Sequence, residues 1–133
     1  MNSLKITVLL ALILPFNNFV NATDNKNQIY LSYCTNYGAG VDYSFQSCIN
    51  MNNSSIAREI GGFYSSCMNY GQQVDYFFTS CVNQGFREAE RQLNNSIYLS
   101  DCENYNSKTL DFFYVSCVNN NYSEIQRAIK LKK

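Results

Sequence analysis

The sequence predicts an all-α protein built as three tandem disulfide-stapled helical hairpins forming a short αα solenoid. Three observations carry that expectation. The six cysteines fall as three pairs, Cys34/Cys48, Cys67/Cys81 and Cys102/Cys117, with nearly equal separations inside each pair and between pairs. The residues around them recur in register. Apolar residues step by threes and fours rather than by twos, which is the period of a helix face. A repeat of roughly 34 residues belongs to stacked supersecondary units, most often two helices each.

Residues 1–22 read as a secretory signal peptide. Lys5 gives a positive start, Ile6 to Leu14 an apolar stretch, and Val20-Asn21-Ala22 a small-residue cleavage site. The apolar stretch is too short for an ordinary spanning helix, and no later run approaches that length. Residues 23–133 are therefore expected to form a single exported helical-repeat domain. Its repeats lie at about 28–60, 61–95 and 96–133, and no membrane association is expected after cleavage.

Unit one carries Tyr30, Cys34, Asn36, Tyr37, Asp42, Tyr43, Phe45, Cys48, Asn50 and Arg58. Unit two answers with Phe63, Cys67, Asn69, Tyr70, Asp75, Tyr76, Phe78, Cys81, Asn83 and Arg91. Unit three has Tyr98, Cys102, Asn104, Tyr105, Asp111, Phe112, Tyr114, Cys117, Asn119 and Arg127. Within a unit, the series Ile56, Ile60, Phe63, Cys67, Tyr70 predicts a first helix. Val74, Phe77, Phe78, Cys81 and Val82 predict a second, matched by Val41–Ile49 and Leu110–Val118. Asn-Tyr-Gly or Asn-Tyr-Asn between them suits a helix C-terminus. Asp42, Asp75 and Asp111 then fall in the first turn of the second helix, facing its unpaired N–H groups. Gly61-Gly62 and Asn94-Asn95-Ser96 interrupt the predicted first helices and would kink or split them.

In such a hairpin the first cysteine of each pair lies one turn before the loop and the second about two turns after it. A bridge closing a loop of this length contributes roughly 3 kcal/mol in the chain-entropy account, and a thin array has little interior to hold it otherwise. Pairing within each repeat is the simplest pattern because it treats all units alike. The rival Cys48–Cys67 and Cys81–Cys102 would strand Cys34 and Cys117 at opposite ends. Structural disulfides imply an oxidising compartment, the bacterial periplasm or the extracellular space. The alternative use of cysteine, a metal site, needs close pairs or histidine, and the chain has no His. No metal or cofactor is expected.

Without His the commonest general base is missing, and the paired cysteines leave no thiol nucleophile. Asp42, Asp75 and Asp111 recur once per unit at a helix start, which fits capping better than a paired-carboxylate active site. The expectation is a protein without enzymatic activity. Formal net charge is zero and the positive residues cluster only at Lys130, Lys132 and Lys133, so nucleic acid is not an expected partner. Asn52, Asn53, Asn94 and Asn121 begin Asn-X-Ser patterns, glycan acceptors in a eukaryotic secretory pathway. The surplus of Asn reads otherwise as the mark of an AT-rich genome.

Eleven Tyr and nine Phe, with no Trp, make a heavy aromatic load. The recurrent aromatics are expected in the core. Binding specificity is expected at positions that differ between units: Tyr33, Met68 and Glu103 near the first cysteines, and Gln46, Thr79 and Val115 near the second. Arg58, Arg91 and Arg127, with acidic residues nearby, are expected in surface ion pairs.

Tyr37-Gly38-Ala39-Gly40-Val41-Asp42, Ser47-Cys48-Ile49-Asn50, Ile60-Gly61 and Tyr64 resemble the Sel1-like and tetratricopeptide class of helical repeats, including disulfide-stapled secreted Sel1-like proteins of bacteria. Tyr70-Gly71, Val74-Asp75 and Ser80-Cys81-Val82-Asn83 repeat part of that pattern. The turn here is shorter, aromatics replace the alanines and the cysteine spacing differs. The resemblance implies a scaffold whose partner is another protein, in its sharper form an inhibitor or immunity protein against an exported toxin. The alternative is a secreted carrier of small apolar ligands. Its cysteine count resembles that of insect odorant-binding proteins, without their closely spaced cysteines.

Overall fold

Gly61 and Gly62 stop the first helix where the apolar periodicity would have carried it on. Both hold positive φ, 77° and 101°, a region open to glycine at little cost. The Gly61 N–H still closes the last turn on the Ala57 carbonyl at 2.9 Å. At the next junction Asn94 and Asn95 do the same work with φ of 55° and 53°, asparagine being the side chain that best tolerates this region. The computed structural model describes residues 28–133. The predicted signal peptide, 1–22, lies outside the described residues. Among them the regular structure is all helical: α1 (Tyr43–Ile60), α2 (Tyr76–Gln92) and α3 (Phe112–Lys132).

The expected helical hairpins do not form. Each unit has one long helix, preceded by an extended arm through residues 28–37, 61–70 or 97–106 and a bend. Ile56 and Ile60 belong to α1, whereas Phe63, Cys67 and Tyr70 lie on the arm after the glycines. The series that looked like one helix face spans two elements. A period of two was present in the arms: Ile29 and Leu31 are buried while Tyr30 and Ser32 are exposed, the alternation of an extended chain.

No strand pairs with these arms among the described residues, so their backbone polar groups need other partners. Asparagine side chains supply them. Asn52 accepts the Ser32 N–H and donates to the Ser32 carbonyl, both at 2.8 Å. Asn121 does the same for Ser100, at 3.2 and 2.7 Å. A carboxamide presents one donor and one acceptor side by side, as a neighbouring strand would. Asn52 and Asn121 thus serve a structural need of the arms. Asn52, Asn53 and Asn121 are buried, whereas Asn94 is exposed.

A second set of asparagines joins one unit to the next. Asn50 of α1 clasps the backbone of Cys67, with bonds of 2.8 and 3.0 Å. Asn83 of α2 clasps Cys102, at 2.8 and 2.9 Å. Asn119 of α3 clasps Cys34, at 2.7 and 2.8 Å. The third clasp returns to the first unit, so the contacts describe a closed ring. An open solenoid would leave Cys34 without a donor helix.

The helices meet around an axis in layers of three side chains. Phe45, Phe78 and Tyr114 form the first, with ring centroids 6.5 Å apart for Phe45–Phe78 and for Phe45–Tyr114. Ile49, Val82 and Val118 follow, then Asn53, Phe86 and Tyr122, then Ile56, Ala89 and Ile125. Ile60, Leu93 and Ile129 end the stack. In the third layer the Tyr122 hydroxyl donates to Asn53 Oδ1 at 3.0 Å, and its ring meets Phe86 edge-on at 5.3 Å. A three- or four-residue period directs each helix's side chains inward at these levels. Full burial of such a residue stabilises by roughly 1.5–3 kcal/mol.

Candidate functional site

The bend of each unit is fixed by an Asn and an Asp acting on each other's backbone. Asn36 donates to the carbonyls of Gly38 and Gly40, each at 2.8 Å, and accepts the Asp42 N–H at 2.9 Å. Asp42 in return accepts from Tyr37 and Gly38 and caps α1 through the Phe45 N–H at 2.8 Å. Partial burial opposes ionisation of Asp42, but bonds from Phe45, Tyr37, Ser44 and Gly38 outweigh it and hold its pKa below the ordinary value. Asn69 with Asp75 and Asn104 with Asp111 repeat the arrangement. The three aspartates stand at N-cap positions, one residue ahead of the predicted first turn, and Asp75 bonds Tyr70 instead of its own helix.

The three bends meet. Val74 N–H donates to the Ser107 carbonyl at 2.7 Å, and Leu110 N–H to the Ala39 carbonyl at 2.8 Å. Gly40 completes the ring, because a Cβ there would stand 2.5 Å from the Gln72 carbonyl oxygen. Tyr37, Tyr70 and Tyr105, each just after its bend asparagine, surround this junction with Tyr43, Tyr76 and Phe112 at the helix starts. Tyr30, Phe63 and Tyr98 repeat on the arms. These three positions are aromatic in every unit, and all nine residues are between 75 and 87 % exposed. Of the recurrent aromatics only Phe45, Phe78 and Tyr114 reach the core, which corrects the expectation of burial. Their sequence signal was local: a tyrosine beside a bend, an aromatic at a helix start and an aromatic out of phase with Ile29 and Leu31.

The positions that vary between units line grooves between each helix and the arm it clasps. Between α1 and arm 61–70 lies a groove of about 660 Å³, lined by Tyr43, Gln46, Ser47, Asn50, Met51, Ser54, Ser55, Arg58 and Met68. The corresponding groove beside α2, about 390 Å³, holds Thr79, Arg87, Asp101 and Glu103. There Arg87 reaches across to Asp101 at 2.6 Å. Beside α3 a cavity of about 60 Å³ is walled by Tyr33, Ser123 and Gln126. Tyr33, Gln46, Met68, Thr79 and Glu103 are all at these grooves. Val115 is partly buried against the core.

The disulfides are Cys34–Cys48, Cys67–Cys81 and Cys102–Cys117, each with a Cα–Cα distance of 5.6 Å. This is pairing within each unit, and it implies an oxidising environment. They pin each arm to its own helix. Arg91 bonds Glu88 at 2.7 and 2.9 Å and Arg127 bonds Glu124, whereas Arg58 meets the Ser55 hydroxyl at 3.1 Å. Bonds from Arg91, then Gln92, hold the Glu88 pKa down at about 2. Half-burial, with Glu88 close by, pushes the Tyr64 hydroxyl up to about 12. Among the described residues no cluster of His, Cys, Asp and Glu could hold a metal, and no helix is long and apolar enough to cross a membrane. The chain matches no protein-family model, no curated protein and no solved structure. The two-helix unit implied by the Sel1-like resemblance is also absent among the described residues, so the surface is read from its own chemistry.

Proposed function

We propose that this is an exported, non-enzymatic protein of the periplasm or extracellular space that binds another protein through the aromatic end of its three-unit ring. The observation that carries the reading is the pair of aromatic positions at the bend and the helix start, Tyr37 and Tyr43, Tyr70 and Tyr76, Tyr105 and Phe112, which recur and stay exposed in every unit. Core packing explains none of them, while neighbouring turn residues diverge from Ala39-Gly40 to Gln72-Gln73 and Ser107-Lys108. Tyrosine anchors an interface well because a large, stiff ring carries one polar tip. Exposed aromatics in this number are what an interaction surface presents. An inhibitor or immunity protein is the sharper form of this reading, since a rigid stapled scaffold binds with little ordering cost.

The reading is tested by capture with the oxidised protein from its own exported fraction, alongside the Tyr37→Ser/Tyr70→Ser/Tyr105→Ser variant. One stoichiometric protein, lost with the variant, supports it. A partner retained equally by both proteins, or none with folded bait, contradicts it. A hydrolase or toxin in that position would make the protein an inhibitor.

A further inference from the structure

The three helix–arm grooves are equivalent by position, and two of them are crossed along their length by the chain's own side chains. Arg87 and Asp101 bridge one. Tyr33 and Gln126 stand in another, with Gln126 accepting the Leu31 N–H at 2.6 Å. In the α1 groove it is Gln46, at the bend end, that reaches Met68 Sδ at 3.5 Å and accepts the Asn69 N–H at 2.6 Å. The residues matching Arg87 and Asp101 in that groove are Ser54 and Ser66, too short to meet across it. The floor there carries Met51 and Met68, where the other units have Gln84 with Glu103 and Asn120 with Thr35. Thioether side chains offer an apolar, adaptable surface.

Charge and length narrow what fits. Among the described residues Arg58 is the one charged side chain lining this groove, and it donates to the neutral Ser55 hydroxyl at 3.1 Å. The nearest carboxylate in sequence, Glu59, is already engaged by Lys133 at 2.9 Å. A cation at the end of an apolar channel without a carboxylate is complementary to an anionic group. From Tyr43 to Arg58 the groove follows α1 for roughly 22 Å at 1.5 Å per residue. An extended peptide of roughly six or seven residues has that length. The serines along the wall and the open side suit a peptide backbone better than a lone alkyl chain, which needs an enclosed apolar tube.

The geometry points to the α1 groove as a docking site for an extended acidic peptide segment of the partner, with apolar side chains on Met51 and Met68 and a carboxylate at Arg58. This inference deepens the protein-binding reading and rests on it. The chain's methionines are Met1, Met51 and Met68, so methyl-labelled methionine reports on the groove directly. The full chain, labelled in this way, is titrated with Ac-Leu-Ser-Leu-Ser-Asp-Asp-NH2, its reversed sequence, the Asn counterpart of each, and laurate.

Saturable shifts of both Met51 and Met68 with an acidic peptide, about tenfold weaker for its Asn counterpart, are expected. Arg58→Gln should erase that difference, while Tyr37→Ser/Tyr70→Ser/Tyr105→Ser should preserve it. Absence of saturable shifts with either acidic peptide, an acid preference surviving Arg58→Gln, or tighter binding of laurate would overturn the assignment. If capture of a partner succeeds while these shifts fail, the groove assignment alone falls. If the shifts appear and capture fails, the wider reading falls instead.

Discussion

The carboxamide of Asn119 in the last helix accepts the Cys34 N–H at 2.7 Å and donates to the Cys34 carbonyl at 2.8 Å, across 85 residues of chain. This pair joins the third unit to the first and gathers three bends, with their aromatics, at one end. It also explains a conserved spacing within the chain, since Asn50, Asn83 and Asn119 each follow the second cysteine of their unit by two positions.

Removing that clasp strands two backbone groups at a buried site. Asn119→Ala should cost about 2–3 kcal/mol, the penalty for leaving such groups unpaired. Asn50→Ala and Asn83→Ala should cost less, because their sites are partly open to water. Urea unfolding of the three variants measures the ranking, and an equal or smaller loss for Asn119→Ala would count against the ring.

Tyr114 fills the place that Phe45 and Phe78 hold in the first core layer, and its buried hydroxyl has no hydrogen-bond partner. Burial also drives its pKa upward. Tyr114→Phe should therefore stabilise the protein by about 1 kcal/mol. A loss of stability would mean that the hydroxyl has a partner in solution.

Unit two lacks the clasp on its own arm. Where Asn52 and Asn121 hold Ser32 and Ser100, unit two has Gly85, at which a Cβ would stand a tight 3.3 Å from Asn53 Nδ2 and 3.7 Å from Tyr64 Cδ1. Its arm depends more on the disulfide, closed over a separation of 14 residues. Cys67→Ala/Cys81→Ala should cost about 3 kcal/mol. It should also release arm 61–70 to hydrogen exchange more than Cys34→Ala/Cys48→Ala releases arm 28–37. Equal release would refute that dependence.

Glu88 ties its neighbours Arg91 and Gln92 to the Phe63 N–H on the arm. Its folded pKa of about 2 lies below the ordinary 4.5. The contribution is therefore complete above about pH 4.5 and is lost as the pH falls toward 2. The acid unfolding profile of Glu88→Gln should be flatter across that window than that of the native chain. Overlapping slopes would show that the group is not coupled to folding.

Much of this was legible in the chain itself. The cysteine register marked the bridges, the aspartates marked the helix starts, and the positions that differ between units, Val115 excepted, marked the grooves. The arms were misread because Ile60 and Phe63 keep a helical interval across Gly61-Gly62, while the backbone at those glycines has left the helix. Their true period of two covered only a few residues around Ile29 and Leu31. Asparagine's part was hidden for another reason. A carboxamide that replaces a neighbouring strand acts through space, Asn119 on Cys34, and no local pattern records such a contact. The exposed aromatics were hidden by their recurrence, which resembled core conservation until Tyr37, Tyr70 and Tyr105 proved to face water.

Amide hydrogen exchange at Cys34, Cys67 and Cys102 tests the closed ring most directly. The ring predicts comparable slow exchange at all three, within about tenfold, because each N–H is held by an asparagine of another unit's helix. Fast exchange at Cys34 beside protected Cys67 and Cys102 would contradict it, and would restore an open array with a free first arm.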